Sequence, residues 1–175
     1  LWVPAGDSLY EKYHDHEWGV PVHNDRIIFE FLVLESAQAG LSWRTILGRR
    51  EGYRRVFKDF NYEKVAKFNA KDMKRLMNDA GIIRNRMKIE AAVNNSKRFI
   101  EIRKEFGTFS KYMWSWVGNK PIVRRPKTNK DYRATSLESD MWSKDMKKRG
   151  FKFLGSTTLY AHMQAVGMVN DHGVG

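Results

Sequence analysis

A glutamate inside an apolar segment is the residue of this sequence most suited to chemistry. Glu35 directly follows residues 29–34, which are almost all apolar, and lies seven residues after Ile28. At helical spacing Ile28 and Glu35 share one face, and a helix that is apolar on nearly every side is usually buried. Because a buried carboxylate is costly without a partner or a ligand, Glu35 is a candidate catalytic residue.

A helix junction with a tryptophan comes immediately after Glu35. Gly40 is suited to end the first helix and Ser42 to cap the next, so that Trp43 projects from the junction. An acid beside an indole predicts a pocket for a flat, hydrogen-bonding ring, and a cationic ring would fit it well. An equally good interpretation of these positions is an acid that faces a solvent-filled slot and a tryptophan that fills the core.

Apolar residues recur at helical spacing along the chain, and strand patterns are scarce. Cap residues separate successive helices, which we predict at residues 8–14, 25–39, 42–57, 61–68, 70–79, 84–106, 108–117, 136–149 and 156–167. The basic segment 119–135 is the one long loop, either a solvated connector or a loop that flanks DNA. We therefore expect a compact all-α fold with a single domain over residues 1–175.

The charge of the chain favours a polyanionic partner. It has 32 Lys and Arg residues against 20 Asp and Glu residues, for a net charge of +12. Nucleic acid is the leading candidate partner. An anionic membrane surface is the alternative, but no basic amphipathic helix stands out at either end. No run approaches the roughly 18 apolar residues of a membrane span, so we expect no membrane contact.

The chain contains no cysteine, which excludes disulfides and thiolate metal ligands within these 175 residues. Its first residues have neither the charged start nor the long apolar stretch of a signal peptide. We therefore expect an intracellular protein of the cytoplasm.

The connection between the last two helices has the composition of a phosphate-binding hairpin. Gly150 and Gly155 lie five residues apart and permit a tight turn with close approach of a ligand to the backbone. Gly155 leaves uncovered the first amides of the helix that Ser156 opens, and Lys152 adds positive charge for a DNA phosphate. The alternative is an ordinary helical connection whose apolar residues fill the core.

Several motifs in order resemble one enzyme family along nearly the whole chain. They are Y-E-K-Y-H-D-H-E-W-G-V-P at 10–21, L-E-S-A-Q-A-G-L-S-W at 34–43, D-A-G-I-I-R-N-R-M-K-I at 79–89, and the hairpin at 150–155 followed by V-N-D-H at 169–172. The chain resembles the bacterial 3-methyladenine DNA glycosylase I family of the helix-hairpin-helix superfamily. The resemblance places the helix-hairpin-helix motif at about residues 136–167.

The resemblance implies a monofunctional glycosylase that flips 3-methyladenine out of alkylated duplex DNA and hydrolyses its N-glycosidic bond, leaving an abasic site. Glu35 would accept hydrogen bonds from the base, Trp43 would stack on it, and Tyr13 and Trp18 would complete the pocket. N3-alkylation makes the base cationic within the nucleotide, which suits an anion among aromatic faces. The residues expected to contact DNA are Leu41, Gly150, Lys152, Gly155 and Ser156.

Asn170 departs from the superfamily pattern, since related enzymes place a catalytic aspartate at this position. The resemblance implies that this family lacks that aspartate, and Asp171 lies one residue out of register. A neutral amide cannot deprotonate water, which fits a substrate whose bond is already labile. We therefore expect Glu35 to be the electrostatic centre of the reaction.

The family usually joins its chain ends through zinc bound by two histidines and two cysteines. His14 and His172 match the histidine positions, but the cysteine positions fall just before Leu1 and just after Gly175. Either the zinc site is complete only in a longer chain, which we expect, or this protein lacks it. Two histidines alone make a weak tetrahedral site. The chemistry itself should require no cofactor.

Two other functions compete with this interpretation. A catalytically silent DNA-binding module would suit the basic charge and the hairpin, but it leaves the buried Glu35 unexplained. An enzyme for mismatched or oxidised bases would usually need the aspartate that Asn170 replaces. We expect a monomer that binds alkylated duplex DNA and releases the free base.

Overall fold

Ten α-helices form the described part of the chain, which in this computed structural model comprises residues 8–124 and 133–171. They are α1 (Ser8–His16), α2 (Asp25–Ala37), α3 (Trp43–Gly48), α4 (Arg50–Val56), α5 (Tyr62–Ala66), α6 (Ala70–Met77), α7 (Arg86–Phe106), α8 (Phe109–Ser115), α9 (Leu137–Lys148) and α10 (Ser156–Ala165). A short 3-10 helix (Lys58–Phe60) joins α4 to α5. Within those two ranges no helix has the length and apolarity needed to cross a lipid bilayer. The all-α fold predicted from the sequence is confirmed.

Side-chain caps explain where most of these helices begin. In each case an Asn, Ser or Thr precedes the helix, and its side-chain oxygen accepts a hydrogen bond from a backbone N–H three residues later. The caps are Asn24, Ser42, Asn61, Asn69, Asn85, Thr108 and Ser136. A cap of this kind stabilises a protein by about 1 kcal/mol. The predicted caps Ser42, Asn61 and Ser136 are therefore confirmed.

Helix α2 lies at the centre of the core. Every residue from Ile28 to Ala37 is buried, and the helix contacts α7, α8 and α10. Asp25 at its start accepts hydrogen bonds from the Arg103 side chain of α7 and from the backbone N–H groups of Phe109 and Ser110 in α8. The start of the helix that carries the candidate acid is therefore fixed against α7 and α8.

The single helix predicted over residues 42–57 is in fact two helices. The chain bends at Arg49, whose φ of −104° and ψ of 3° lie outside the helical region. Helix α4 then packs against the loop after α6, where a Cβ on Gly52 would come within 2.1 Å of the Gly81 carbonyl oxygen. The Arg49 guanidinium donates to the Ala80 carbonyl at 2.7 Å. Close packing against this loop therefore outweighs the continuation of one straight helix.

A short parallel strand pair is absent from the sequence prediction. β1 (Ile122–Val123) pairs with β2 (Val169–Asn170) in parallel. The Arg124 N–H donates to the Asn170 carbonyl at 2.8 Å and extends the pairing. Two residues are too few to show the alternation by which strands are recognised in a sequence. Of the loop predicted over 119–135, residues 125–132 lie outside the described part of the chain.

The segment after α1 crosses the C-terminal end of α10. The Gly19 N–H donates to the Ala165 carbonyl at 2.9 Å. Gly167 has a φ of +78°, and a Cβ at this position would lie 2.6 Å from the backbone nitrogen of Pro21. A residue with a side chain would therefore be both strained and in collision. This close approach holds the end of α1 beside α10.

Candidate active site

The junction between α2 and α3 is fixed by a lysine. Helix α2 ends at Ala37, two residues earlier than predicted, and Gly40 has a φ of +80°. Lys88 of α7 donates to the carbonyls of Ala37 at 2.9 Å and of Ala39 at 2.6 Å. A cation thus satisfies acceptors that the helix end leaves unpaired. This contact sets where α3, and with it Trp43, begins.

Glu35 is buried in α2, with a relative exposure of 5%. Its Oε2 lies 2.8 Å from Nδ1 of His162 on α10. Burial raises the pKa of Glu35 above its ordinary value, and the charge and hydrogen bond of His162 act in the opposite direction. The carboxylate therefore lies in the core and not in a solvent-filled slot.

Tyr13 and Trp43 meet near this carboxylate. Their ring centroids lie 5.7 Å apart, with planes inclined by 48°. Burial, and then the charge of Glu35, raise the pKa of Tyr13, so its phenol stays protonated and can donate a hydrogen bond. The indole N–H of Trp43 is buried and finds no hydrogen-bond partner in the ranges that the structure describes. Three of the residues expected to bind the base thus come together from α1, α2 and α3.

Trp18 lies where the chain leaves α1. It is half-buried, and its indole stacks on the imidazole of His14 with centroids 5.9 Å apart. The backbone N–H groups of Glu17 and Trp18 each donate to the Tyr13 carbonyl at 3.0 Å. Trp18 is therefore linked to the turn that carries Tyr13, and its contact with a base stays a prediction.

Two asparagines of α7 fix the hairpin between α9 and α10. Asn95 exchanges two hydrogen bonds of 2.9 Å with the backbone of Lys152, and Asn94 donates to the Gly150 carbonyl at 2.7 Å. Gly150 has a φ of +96°, a conformation that favours glycine. The Lys152 side chain is exposed. The hairpin therefore presents a positive charge on a backbone that α7 holds in place.

Gly155, rather than Ser156, is the N-cap residue of α10, and no side chain caps the first turn within the described ranges. A Cβ on Gly155 would meet no described atom within 4 Å. The amides of the first turn are thus suited to bind an anion. The Ser156 hydroxyl, by contrast, donates to Asp140 Oδ1 at 2.5 Å and lies 2.8 Å from Ser139 Oγ. Because the hydroxyl of Ser156 is engaged, the predicted DNA contact at this residue would be made by its backbone N–H group.

Leu41 lies directly after Gly40 in the α2–α3 junction. Its side chain is 38% exposed, and its backbone N–H donates to the Gln38 carbonyl at 2.6 Å. An exposed apolar residue on a fixed turn is suited to contact the base stack of DNA. This role stays a prediction.

Known proteins are similar to this chain over almost its whole length. The family model described as methyladenine glycosylase matches residues 2–175. This chain belongs to the methyladenine glycosylase family. It is 45% identical over 174 residues to DNA-3-methyladenine glycosylase 1 of Escherichia coli (strain K12), with 99% of this chain and 92% of that protein covered.

Solved structures share the fold of this family member. A crystal structure of 3-methyladenine DNA glycosylase I has a TM-score of 0.95 at 41% identity, and the match covers 99% of this chain and 95% of that one. A tyrosine-to-phenylalanine variant of 3-methyladenine DNA glycosylase I, in complex with 3-methyladenine, has a TM-score of 0.92 at 40% identity and covers 95% and 90% of the two chains. The family resemblance of the sequence motifs is confirmed.

In this family member Asp171 is the carboxylate nearest to position 170, where related enzymes of the superfamily have their catalytic aspartate, and it is already hydrogen-bonded. Asn170 is exposed and lies in the strand pair. Asp171 is buried and accepts hydrogen bonds from Tyr160, from Arg124 at 3.0 Å and from Gln164 at 3.2 Å. Because three donors hold this carboxylate, Asp171 stabilises the strand pair and is not placed to act as an unpaired base.

The zinc prediction is not decided by the described residues. His172 lies outside them, and His14 Nδ1 lies 3.2 Å from Asp15 Oδ1. In residues 8–124 and 133–171 no group of three or more His, Asp or Glu residues is arranged to hold a metal ion. The zinc site of this methyladenine glycosylase stays a prediction.

A second buried acid of α2 belongs to an ion-pair network. Glu30 accepts hydrogen bonds from Arg50 Nε and Arg54 Nε, both at 2.8 Å. Burial raises the pKa of Glu30, but the hydrogen bonds and charges of the two arginines outweigh burial, so the pKa lies below its ordinary value. Arg50 also pairs with Glu17 after α1. The network therefore joins α1, α2 and α4.

An open surface cleft of about 540 Å³ lies beside this network. It is lined by Arg26, Glu51, Arg54, Arg55 and Asp59. These charges pair within the protein, as Arg54 does with Glu51 at 2.8 Å. None of the residues predicted to recognise base or DNA lines the cleft, so the α2–α3 junction stays the candidate active site.

His162 is the site residue that the motif analysis missed. It lies among the mostly apolar residues 159–165 of α10 and is fully buried. Like Glu35, this histidine is a polar group within a buried helix, and that feature is visible in the sequence. Its partner could not be found from sequence, because 127 residues separate the two.

Proposed function

We propose that this protein is a monofunctional DNA glycosylase that removes 3-methyladenine from alkylated duplex DNA and leaves an abasic site. The observation that carries the proposal is the buried Glu35 close to Tyr13 and Trp43, in a chain 45% identical to a DNA-3-methyladenine glycosylase. We expect it to act as a monomer in the bacterial cytoplasm, where it would meet chromosomal DNA.

Charge and aromatic surface favour the alkylated nucleotide. N3-methylation makes adenine cationic while the base is joined to its sugar, and an electron-rich ring face attracts such a cation. The Glu35 carboxylate adds an anion inside the core, where it is poorly screened by water. The protonated phenol of Tyr13 supplies a donor for a base acceptor. An unmodified adenine lacks the charge that this site would stabilise.

In the free protein the space between the rings of Tyr13 and Trp43 is too narrow to hold a base. A base held between two aromatic faces needs about 7 Å, twice a van der Waals contact. The Tyr13 and Trp43 centroids are 5.7 Å apart and tilted. We therefore expect the base to stack on the outer face of Trp43 or to separate the two rings as it enters.

Bond cleavage would rely on stabilising separated charge. Water adds to C1′ of the sugar as the N-glycosidic bond breaks, the base leaves as neutral 3-methyladenine, and a proton passes to solvent. The neutral side chain at Asn170 does not act as a base in this scheme. Glu35 stabilises the positive charge as it passes from the base to the sugar in the transition state.

DNA would be held by the hairpin and the α2–α3 junction. The amides of the first turn of α10 and the Lys152 ammonium would bind backbone phosphates, as helix starts and lysines commonly do. Leu41 would fill space in the base stack after the nucleotide is extruded. The net charge of +12 supplies the long-range attraction.

No step of this mechanism passes through a metal ion. His14 alone offers one nitrogen ligand among the described residues of the zinc pattern, and a structural zinc site needs four ligands. We expect any zinc bound through His14 to have a structural role and to take no part in base excision.

The proposal is tested by the formation of abasic sites in a methylated duplex. Wild-type protein should convert DNA that contains 3-methyladenine into abasic DNA whose strands stay intact until alkali is added. Strand breaks before alkali treatment would contradict the monofunctional assignment. Binding of methylated DNA without abasic sites would favour the silent DNA-binding module.

Trp43→Ala should weaken the binding of free 3-methyladenine by roughly 1–3 kcal/mol, the scale of one stacking contact. Because the change leaves Glu35 and Tyr13 in place, base affinity should fall more than DNA affinity does. Calorimetric titration with the free base measures the effect. Unchanged affinity in a folded variant would mean that Trp43 only fills the core.

Gly155→Val should weaken binding to duplex DNA that contains an abasic analogue by about tenfold, because one charge-assisted phosphate contact is lost. The variant should fold, since a φ of −74° and a ψ of 176° suit valine and no described atom lies within 4 Å of the new Cβ. Fluorescence anisotropy measures the DNA affinity, and circular dichroism checks the fold.

Lys152→Ala separates the charge of the hairpin from its shape. Removing one phosphate contact should make the dependence of log affinity on log salt shallower by up to about one. Lys71→Ala on α6 is the matched control, with an exposed lysine outside the hairpin. If both hairpin variants bind abasic DNA like wild type, the hairpin is structural and the DNA surface lies elsewhere.

A further inference from the structure

His162 is completely buried in the middle of α10, with a relative exposure of 0%. Its Nδ1 lies 2.8 Å from Glu35 Oε2, and its Nε2 lies 3.3 Å from the sulfur of Met113 on α8. The Trp142 ring of α9 lies 5.7 Å away. The imidazole is therefore enclosed by three helices, and the Glu35 carboxylate is the strong hydrogen-bond acceptor that faces it.

The acceptor chemistry of this contact decides which ring nitrogen carries the proton. An ionised carboxylate only accepts hydrogen bonds, so Nδ1 of His162 donates to Glu35 Oε2. Nε2 faces a thioether, which accepts only weakly. If Nε2 takes up a proton, Nδ1 still donates to Oε2. The contact therefore persists in both charge states of the imidazole.

The other charged and titratable groups near this end of α2 are engaged elsewhere. Lys88 of α7 binds backbone carbonyls after Glu35, and Arg50 of α4 pairs with Glu30. Tyr13 of α1 is protonated and feels the charge of Glu35. Among the described residues 8–124 and 133–171, His162 alone makes a hydrogen bond to the Glu35 carboxylate.

We propose that His162 is a positioning residue that keeps Glu35 ionised and occupies its Oε2, which leaves Oε1 for the alkylated base. This inference rests on the proposed function of Glu35. A fully buried carboxylate without a donor tends to take up a proton and would then lose its attraction for a cationic nucleotide.

The direct test is a carboxyl ¹³C NMR titration of Glu35 in protein labelled at the glutamate side chains. The Glu35 signal is identified by its loss in Glu35→Gln. In His162→Phe, which fills similar space without a donor, Glu35 should titrate at least about one pH unit higher than in wild type. The excision rate of His162→Phe should decline with falling pH over the range in which Glu35 titrates, and this decline should begin at a higher pH than in wild type.

Two amide variants distinguish hydrogen bonding from the filling of space. The amide nitrogen of asparagine overlays Nδ1 of histidine, whereas that of glutamine overlays Nε2. His162→Asn should therefore restore a Glu35 titration close to wild type, and His162→Gln should resemble His162→Phe. Met113→Leu, which removes the contact to Nε2 alone, should titrate like wild type. Thermal unfolding of each variant confirms that a folded protein is measured.

The same Glu35 titration in wild type and His162→Phe, or equal rescue by asparagine and glutamine, would overturn the inference. The experiment also separates this inference from the proposed function. If wild type released no 3-methyladenine, the proposed function would fail, while the NMR titration would still decide whether His162 controls the ionisation of Glu35.

Discussion

Glu35→Gln should slow the excision of 3-methyladenine by about 100-fold or more, the usual cost of removing one preorganised electrostatic contact in an active site. The change is nearly isosteric, and the glutamine oxygen can still accept a hydrogen bond from His162. It removes the anion that would face the cationic nucleotide. Single-turnover excision from methylated duplex DNA measures the rate of the chemical step.

The same variant should be as stable as wild type at neutral pH, or more stable. Burial raises the pKa of Glu35 in the folded protein, so the ionised carboxylate costs stability above the pKa of the unfolded chain. Glutamine removes that cost. Glu51→Gln, whose side chain is 84% exposed, is the control and should excise like wild type. Wild-type excision by folded Glu35→Gln would remove Glu35 from the mechanism.

Glu30→Gln should have the opposite effect and lower the free energy of unfolding by about 3 kcal/mol. Its carboxylate is buried between Arg50 and Arg54, and breaking a buried pair leaves charges without compensation. Urea unfolding at neutral pH measures the difference. Glu51→Gln also removes a partner of Arg54, but an exposed one, and should cost no more than about 1 kcal/mol.

Acid should erase the difference between wild type and Glu30→Gln. The folded protein holds the pKa of Glu30 below the unfolded value, so its stabilisation is present above the unfolded pKa. It is lost as the pH falls through the folded pKa, which places the loss below about pH 4. A stability difference that stays constant down to pH 3 would mean that the arginine pairing contributes little.

The helices and the proximity of Glu35 to Trp43 could be predicted because their signals are local. Ser42 and Ser136 cap helices by contacts that span three residues, and Glu35 and Trp43 are eight residues apart in one motif. Local spacing therefore decided that an acid and an indole share a helix junction. The placement of Tyr13 beside them came from the family resemblance, since it lies on another helix.

The remaining contacts depend on residues far apart in the chain. His162 reaches Glu35 across 127 residues, and Asn95 reaches the Lys152 backbone across 57. No periodicity pairs such positions, so neither the partner of Glu35 nor the support of the hairpin could be derived from the sequence. The bend at Arg49 likewise depends on the packing of Gly52 against Gly81. Tertiary packing overrides local helix propensity at that point.

The most direct test of the account is the identity of the base that wild-type protein releases from methylated duplex DNA. The DNA is incubated with protein in excess, and the released bases are separated by chromatography against authentic standards. The account predicts release of 3-methyladenine, matched by an equal number of abasic sites, and a loss of this product in Glu35→Gln. Tight binding of the same DNA by folded wild-type protein without release of 3-methyladenine would contradict it.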